Sequence, residues 1–196
     1  STLFPYTTLF RSLAESRAGL KLAGAVKAFN LDFHGKTVLD IGSSTGGFTD
    51  FALQHGAKKV YAVDVGTDQL HPNLRGDKRI ELYEKTDIRD FVPNQPVDIV
   101  VGDVSFISLR EILPHVAKHI MQPKTILVAM VKPQFEAGKH QVNKGVIKND
   151  KVRRQILADF ENWVKQYFVV LDKKDSDVAG AKGNVERFYK MRLAKH

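Results

Sequence analysis

Cysteine is absent from the 196 residues. That excludes a disulfide scaffold, a thiolate nucleophile and any cysteine-ligated zinc or iron–sulfur centre, and it fits a reducing cytoplasm. Long apolar runs are absent too. The longest, such as 126–131, are strand-sized, well short of the roughly 18 residues that span a bilayer, so no membrane insertion is expected. Acidic charge is in deficit: 22 Asp and Glu stand against 30 Lys and Arg, a formal charge of +8. Such a surface favours polyanions, nucleic acid first and anionic membrane second. The 7 histidines do not cluster at ligand spacing, so no metal is expected. What is present is a globular balance, 43% hydrophobic and 27% charged, enough for one ordinary domain with its own core. Residues 1–15 do not continue the pattern that follows and make a poor signal peptide. They are expected to be a truncation point or an assembly scar, with the domain itself over 16–196.

From Ser16 onward the chain alternates. The spacing of Leu22, Ala25, Val26 and Phe29 predicts a helix over 16–29 capped by Ser16. Apolar strands follow at 37–41, 59–63, 80–84, 97–101 and 125–131, with helices to about residue 54 and over 109–120. A loop rich in Gly, Lys, Asn and His covers 133–148; then come a helix over 150–165 and strands at 168–172 and 187–193. Buried strands alternating with helices predict a doubly wound, mostly parallel α/β sheet, seven-stranded with one antiparallel strand near its end. In such sheets ligands bind at the carboxyl ends of the strands, near the point where strand order reverses.

The candidate residues lie at those ends. The first strand runs into Asp40-Ile41-Gly42-Ser43-Ser44-Thr45-Gly46-Gly47-Phe48, a tight glycine turn. It matches neither the dinucleotide fingerprint nor the phosphate loop, because serines occupy the second glycine region and no Lys follows. Asp40 would repel a pyrophosphate but could hold an ammonium or a water. Asp64 ends the second strand about 20 residues on, where an acid hydrogen-bonds ribose hydroxyls. Asp87, followed by Ile88, could accept from an adenine amino group. Together these strand ends describe a pocket for a nucleoside without phosphate, which S-adenosyl-L-methionine fits.

The segments SRAGLKL (16–22), VLDIGSSTGGFTD (38–50), YAVDVG (61–66), DVSFISL (103–109), VKPQFE (131–136) and GNVERF (183–188) carry a family likeness. The chain resembles FtsJ-type, Rossmann-like RNA 2′-O-methyltransferases, and within them the TlyA or hemolysin A family of rRNA methyltransferases. The resemblance implies a class I methyltransferase fold, S-adenosyl-L-methionine as donor, and ribosomal RNA or ribosomal subunits as partner, with cytidine as the target. It implies a cofactor site of Asp40, Gly42, Ser43, Ser44, Gly46, Gly47, Phe48, Asp64, Val65, Asp87, Ile88 and Asp103. It also implies a catalytic tetrad of Lys21, Asp103, Lys132 and Glu186. The chemistry agrees: a ribose hydroxyl must lose its proton as it attacks a sulfonium methyl, and a lysine amine can accept it when burial and a second cation favour the neutral form. Alternatively Lys132 only stabilises developing alkoxide charge while the proton goes to water. Members of the family usually carry an S4-type RNA-binding domain ahead of this unit, which is expected to be missing here. Ala18 stands where Gly is commoner.

Lys139, Lys144 and Lys148 in the loop, with Arg153 and Arg154 on the next helix, are expected to meet RNA phosphates. Phe106 is expected in the core rather than as a stacking platform for a base. Other readings are a dinucleotide oxidoreductase, a membrane-active hemolysin, and a non-catalytic or weakly active RNA-binding protein.

Overall fold

The computed structural model describes residues 16–147 and 149–195. Helix α1 (Arg17–Phe29) starts at Ser16, whose Oγ accepts from the Gly19 amide at 3.2 Å, and stops at Asn30 in the left-handed conformation. Both ends follow the helix-capping rules for Ser and Asn. Strand β1 (Thr37–Ile41) is buried at every residue, the mark of a central parallel strand covered on both faces. Then come α2 (Gly47–Gln54), β2 (Lys59–Val63), the short α3 (Pro72–Arg75), β3 (Ile80–Tyr83), β4 (Ile99–Gly102), α4 (Leu109–His115) and β5 (Ile126–Val131). The chain closes with α5 (Pro133–Glu136), a hairpin of β6 (Val142–Asn143) and β7 (Val146–Ile147), α6 (Asp150–Val164), β8 (Phe168–Asp175) and β9 (Arg187–Leu193).

The main sheet has seven strands in the order β3-β2-β1-β4-β5-β9-β8. Pairing is parallel from β3 to β5, and β9 runs antiparallel to both its neighbours. One core packs α4 and α6 against side chains such as Leu39, Tyr61, Val100 and Leu127. The other packs α1 and α2 against Val38, Val60, Val101 and Phe188. Successive residues of one strand thus serve opposite cores, as the pleat requires. Strand order reverses between β1 and β4, which sets the site at their carboxyl ends.

The differences from the sequence expectation have physical causes. The helix expected over 109–120 is α-helical only to His115 and continues as a π-turn, Val116–Ile120. Pro114 removes an amide donor inside it, and Met121 N reaches back to Val116 O. The segment 133–148 is not a plain loop: Lys144 and Gly145 both have positive φ, 49° and 82°, the signature of a two-residue hairpin turn of type I′. Strand β8 runs to Asp175 rather than 172. Its Lys173 and Lys174 look unlike a strand, yet charged residues suit the edge of a sheet.

Candidate functional site

A cleft of about 360 Å³ opens over the carboxyl ends of β1, β2 and β4. Gly42 makes it. Its φ is +75°, and a Cβ there would lie 2.5 Å from the Asp103 carbonyl oxygen, so only glycine lets the β1 turn approach the end of β4. Asp64 binds the two walls together, its carboxylate accepting from Ser44 N at 2.8 Å and Gly66 N at 2.7 Å. A carboxylate has about four lone-pair positions, so room remains for ligand hydroxyls. The floor and far wall are apolar, with Ile41, Ile88, Val104, Ile107 and Ile112.

Of the residues assigned to a cofactor from the sequence, Gly42, Ser44, Asp64, Val65, Asp87, Ile88 and Asp103 line this cleft. Asp40, Ser43, Gly46, Gly47 and Phe48 are not on its wall. Phe48 packs in the core, 6.4 Å from the Phe188 ring centroid. Gly46 and Gly47 are packing positions, where a Cβ would meet Leu74 and Leu70, or Ser16 and Ala18. Asp87 reaches the cleft, but its carboxylate takes the Arg89 amide at 2.9 Å and Arg89 Nη2 at 2.7 Å. The hydrogen bonds from Arg89 hold its pKa below the ordinary range. An adenine amino group would share it with Arg89.

Asp40 is 0% exposed. Thr49 Oγ1 donates to its Oδ2 at 2.7 Å, while Oδ1 has no partner. Burial pushes its pKa from 3.8 to about 7, with the Thr49 bond opposing and Asp103 and Asp64 adding to the rise. A raised pKa means the folded state is favoured with the carboxyl protonated. That contribution is complete below pH 4 and is lost as pH climbs through 7, at up to about 1.4 kcal/mol per pH unit. Asp40→Asn should therefore gain stability relative to the parent between about pH 4 and 7, then plateau. Denaturant melts of both proteins across that range check this, and a pH-independent difference would contradict it.

Two ion pairs stand beside the cleft. Lys132, just past β5, puts Nζ 2.5 Å from Asp103 Oδ1 and donates to Ser105 Oγ at 2.8 Å. Lys21, on the buried face of α1, puts Nζ 2.9 Å from Glu186 Oε2, with the two side chains 10% and 2% exposed. The β5–β9 ladder ends at Val131 opposite Arg187, so Lys132 and Glu186 are the next residues beyond its end. Gln134 adds to the second pair by donating to Glu186 Oε1 at 3.4 Å. All four residues of the sequence-derived tetrad thus fall into two ion pairs at one end of the sheet. Phe106, expected in the core, is 90% exposed at the rim, with φ +64°, its ring 5.1 Å from that of Phe135.

The expected RNA-contacting residues divide. Lys139 and Lys144 are exposed. Arg154 is 69% exposed in a loose pair with Asp150. Arg153 is not free: it donates to Asp175 Oδ1 at 2.7 Å and to Val185 O at 2.9 Å, which makes it a tie between α6, β8 and the segment before β9. Lys148 and the expectations for residues 1–15 lie outside the described residues. Ser105, Gln134 and Glu136 were not singled out, although each sits inside a motif that was.

The model of the FtsJ-like methyltransferase family matches residues 14–192. The chain belongs to that family. Among curated relatives, it is 44% identical over 178 residues to YqxC of Bacillus subtilis, covering 87% of this chain. It is 38% identical over 184 residues to the 23S rRNA (cytidine-2′-O)-methyltransferase TlyA of Campylobacter jejuni, covering 92% of this chain and 72% of that protein. The solved structure of a hemolysin-named protein from Streptococcus thermophilus superposes with a TM-score of 0.87 at 40% identity, over 92% of this chain and 67% of that one. The chain spans 63% of the length of YqxC. The observed sheet has the architecture expected from the sequence, down to the single antiparallel strand. Among the described residues no helix is long and apolar enough to cross a membrane.

Proposed function

We propose that this chain transfers the methyl group of S-adenosyl-L-methionine to the 2′-hydroxyl of a cytidine in ribosomal RNA, in the cytoplasm. One observation carries the choice of donor. Three carboxylates, Asp64, Asp87 and Asp103, line the cleft, and among the described residues on its wall there is no Lys or Arg. Asp87 and Asp103 are paired with Arg89 and Lys132, but no Lys or Arg lines the wall to grip a pyrophosphate, and Asp64 suits a ribose. The site therefore fits a nucleoside donor without phosphate better than a dinucleotide. The volume is that of an ordinary small-molecule site. Asp64 would hold the ribose hydroxyls, the isoleucines with Val104 the adenine, and Asp103 the cationic end. The unpartnered Asp40 Oδ1 and Ser43 Oγ lie in the same turn and fit a polar amino-acid group or a water serving it.

The donor supplies an electrophilic methyl on sulfur. The rest is the work of this chain. Lys132 first gives its ammonium proton to solvent. As the ribose oxygen then forms its bond to the methyl carbon and the carbon–sulfur bond breaks, the hydroxyl proton passes to the neutral Nζ. The ammonium so formed stays paired with Asp103 Oδ1 and Ser105 Oγ. The buried Lys21–Glu186 pair fixes the neighbouring wall and places a second positive charge beside the developing alkoxide. A titration checks the donor: S-adenosyl-L-methionine should bind and NAD should not, whereas NAD binding would return the chain to the oxidoreductase reading.

Lys139 and Lys144 are proposed to meet RNA phosphates, presented by a 3₁₀ turn, Lys139–Gln141, and by the β6–β7 hairpin. Replacing both by alanine should weaken RNA binding at every sequence and flatten the slope of log affinity against log salt by about one unit per lysine. An unchanged slope in filter-binding assays would contradict that placement.

A further inference from the structure

We propose that Glu136 is a positioning residue of the methyl-transfer centre, holding the loop 103–108 at the distance at which Lys132 can work. This rests on the reading of the site given above. Glu136 is the last residue of α5, and its side chain is 2% exposed. Its Oε1 accepts from Leu109 N at 2.7 Å and its Oε2 from Ser108 Oγ at 2.6 Å. Arg110 Nε approaches Oε2 at 3.8 Å. A carboxylate carried 27 residues away in sequence thus occupies the first amide of α4, while the local cap, Ser108, serves Arg110 N.

The consequence is for the loop that ends there. Its first residue is tied to β1, Asp103 N donating to Ile41 O at 3.0 Å. Between the ties lie both partners of Lys132, Asp103 and Ser105, and the exposed Phe106. A phenylalanine at φ +64° is in a region that bulky residues avoid, so this loop does not keep its shape unaided. The short segment 132–136 grips it twice. Lys132, the residue before α5, holds its beginning through Asp103 and Ser105, and Glu136 holds its end through Ser108 and Leu109. Burial raises the Glu136 pKa above 4.5, so the contact costs solvation that a solvent-exposed cap at Ser108 would not. The buried carboxylate fixes the loop end to the segment that carries Lys132.

The test compares the full chain with Glu136→Gln, which keeps volume and one acceptor, and with Glu136→Ala. Four quantities are read: melting temperature, donor affinity, kcat against KM for RNA, and amide hydrogen exchange over 105–109. The expected result for Glu136→Gln is an unchanged melting temperature, faster exchange over 105–109, donor binding weakened along with the loosened loop, and a kcat lower by about tenfold to a hundredfold at similar KM for RNA. Glu136→Ala should lie further in the same direction. Unchanged exchange and kcat in Glu136→Gln, with only a lower melting temperature in Glu136→Ala, would reduce Glu136 to a helix cap and overturn the proposal. Exchange is read whether or not methyl transfer occurs. Faster exchange in the variants with no transfer by the parent would support the tie while rejecting the functional reading.

Discussion

Lys132→Ala is expected to lower the rate of methyl transfer by about two to four orders of magnitude while leaving donor affinity within about threefold. The separation follows from where the amine sits. Lys132 is not on the wall of the donor cleft, yet it reaches over to Asp103, which is. Removing it takes away the group that receives the hydroxyl proton without opening the adenine or ribose contacts. Lys132→Arg divides the two roles. A guanidinium keeps the positive charge but stays protonated and cannot take up a proton. If the amine acts as base, arginine is as inactive as alanine; if it only stabilises alkoxide charge, arginine retains a good part of the rate. A donor affinity that collapses together with the rate would show that the amine holds the donor instead.

Lys21→Met should destabilise the fold by about 3–5 kcal/mol, because it leaves Glu186 charged, buried and unpaired. For a chain of this length that is a fall in melting temperature on the order of 10 °C. The carboxylate has no easy retreat to water. Gly180 packs so closely that a Cβ there would lie 2.0 Å from Glu186 Oε1, and Gln134 covers that same oxygen. Adding Glu186→Met should recover most of the loss, since replacing both members of a buried pair by apolar groups is often neutral. Thermal melts of the two singles and the double measure the coupling. A Lys21→Met protein as stable as the parent would mean that water reaches Glu186 and that the pair is not a buried one. Neither variant is expected to transfer methyl groups at the parental rate, so stability and activity part company in the double.

The parts that were legible in the sequence are those set by local pattern. Strand β1 announced itself as Thr37-Val38-Leu39-Asp40-Ile41, a short mostly apolar run before a glycine turn, and Gly42, Asp64 and Asp103 fall where the ends of parallel strands should put ligand contacts. What the sequence did not show depended on partners far away in sequence. Arg153 looked like one more cation after a basic loop, but its partner Asp175 lies on β8, across the sheet edge. Phe48 borders the glycine turn and looked like a cofactor contact, but the first turn of α2 rotates it onto Phe188. Glu136 showed nothing of its burial, because its two donors sit 27 and 28 residues upstream. Phe106 went the other way: an aromatic in a mostly apolar stretch reads as core, yet in the loop it has a positive φ and its ring is exposed.

The central claim is that this acidic cleft and the Lys132–Asp103 pair form a centre for methyl transfer to ribose. The most direct measurement is transfer of a labelled methyl group from S-adenosyl-L-methionine to ribosomal subunits and to naked rRNA, with Lys132→Ala alongside and the modified nucleoside identified by mass. Label on a ribose 2′-oxygen, lost in the variant, is the predicted result. Label on a base or on protein, or label that persists in Lys132→Ala, would contradict it.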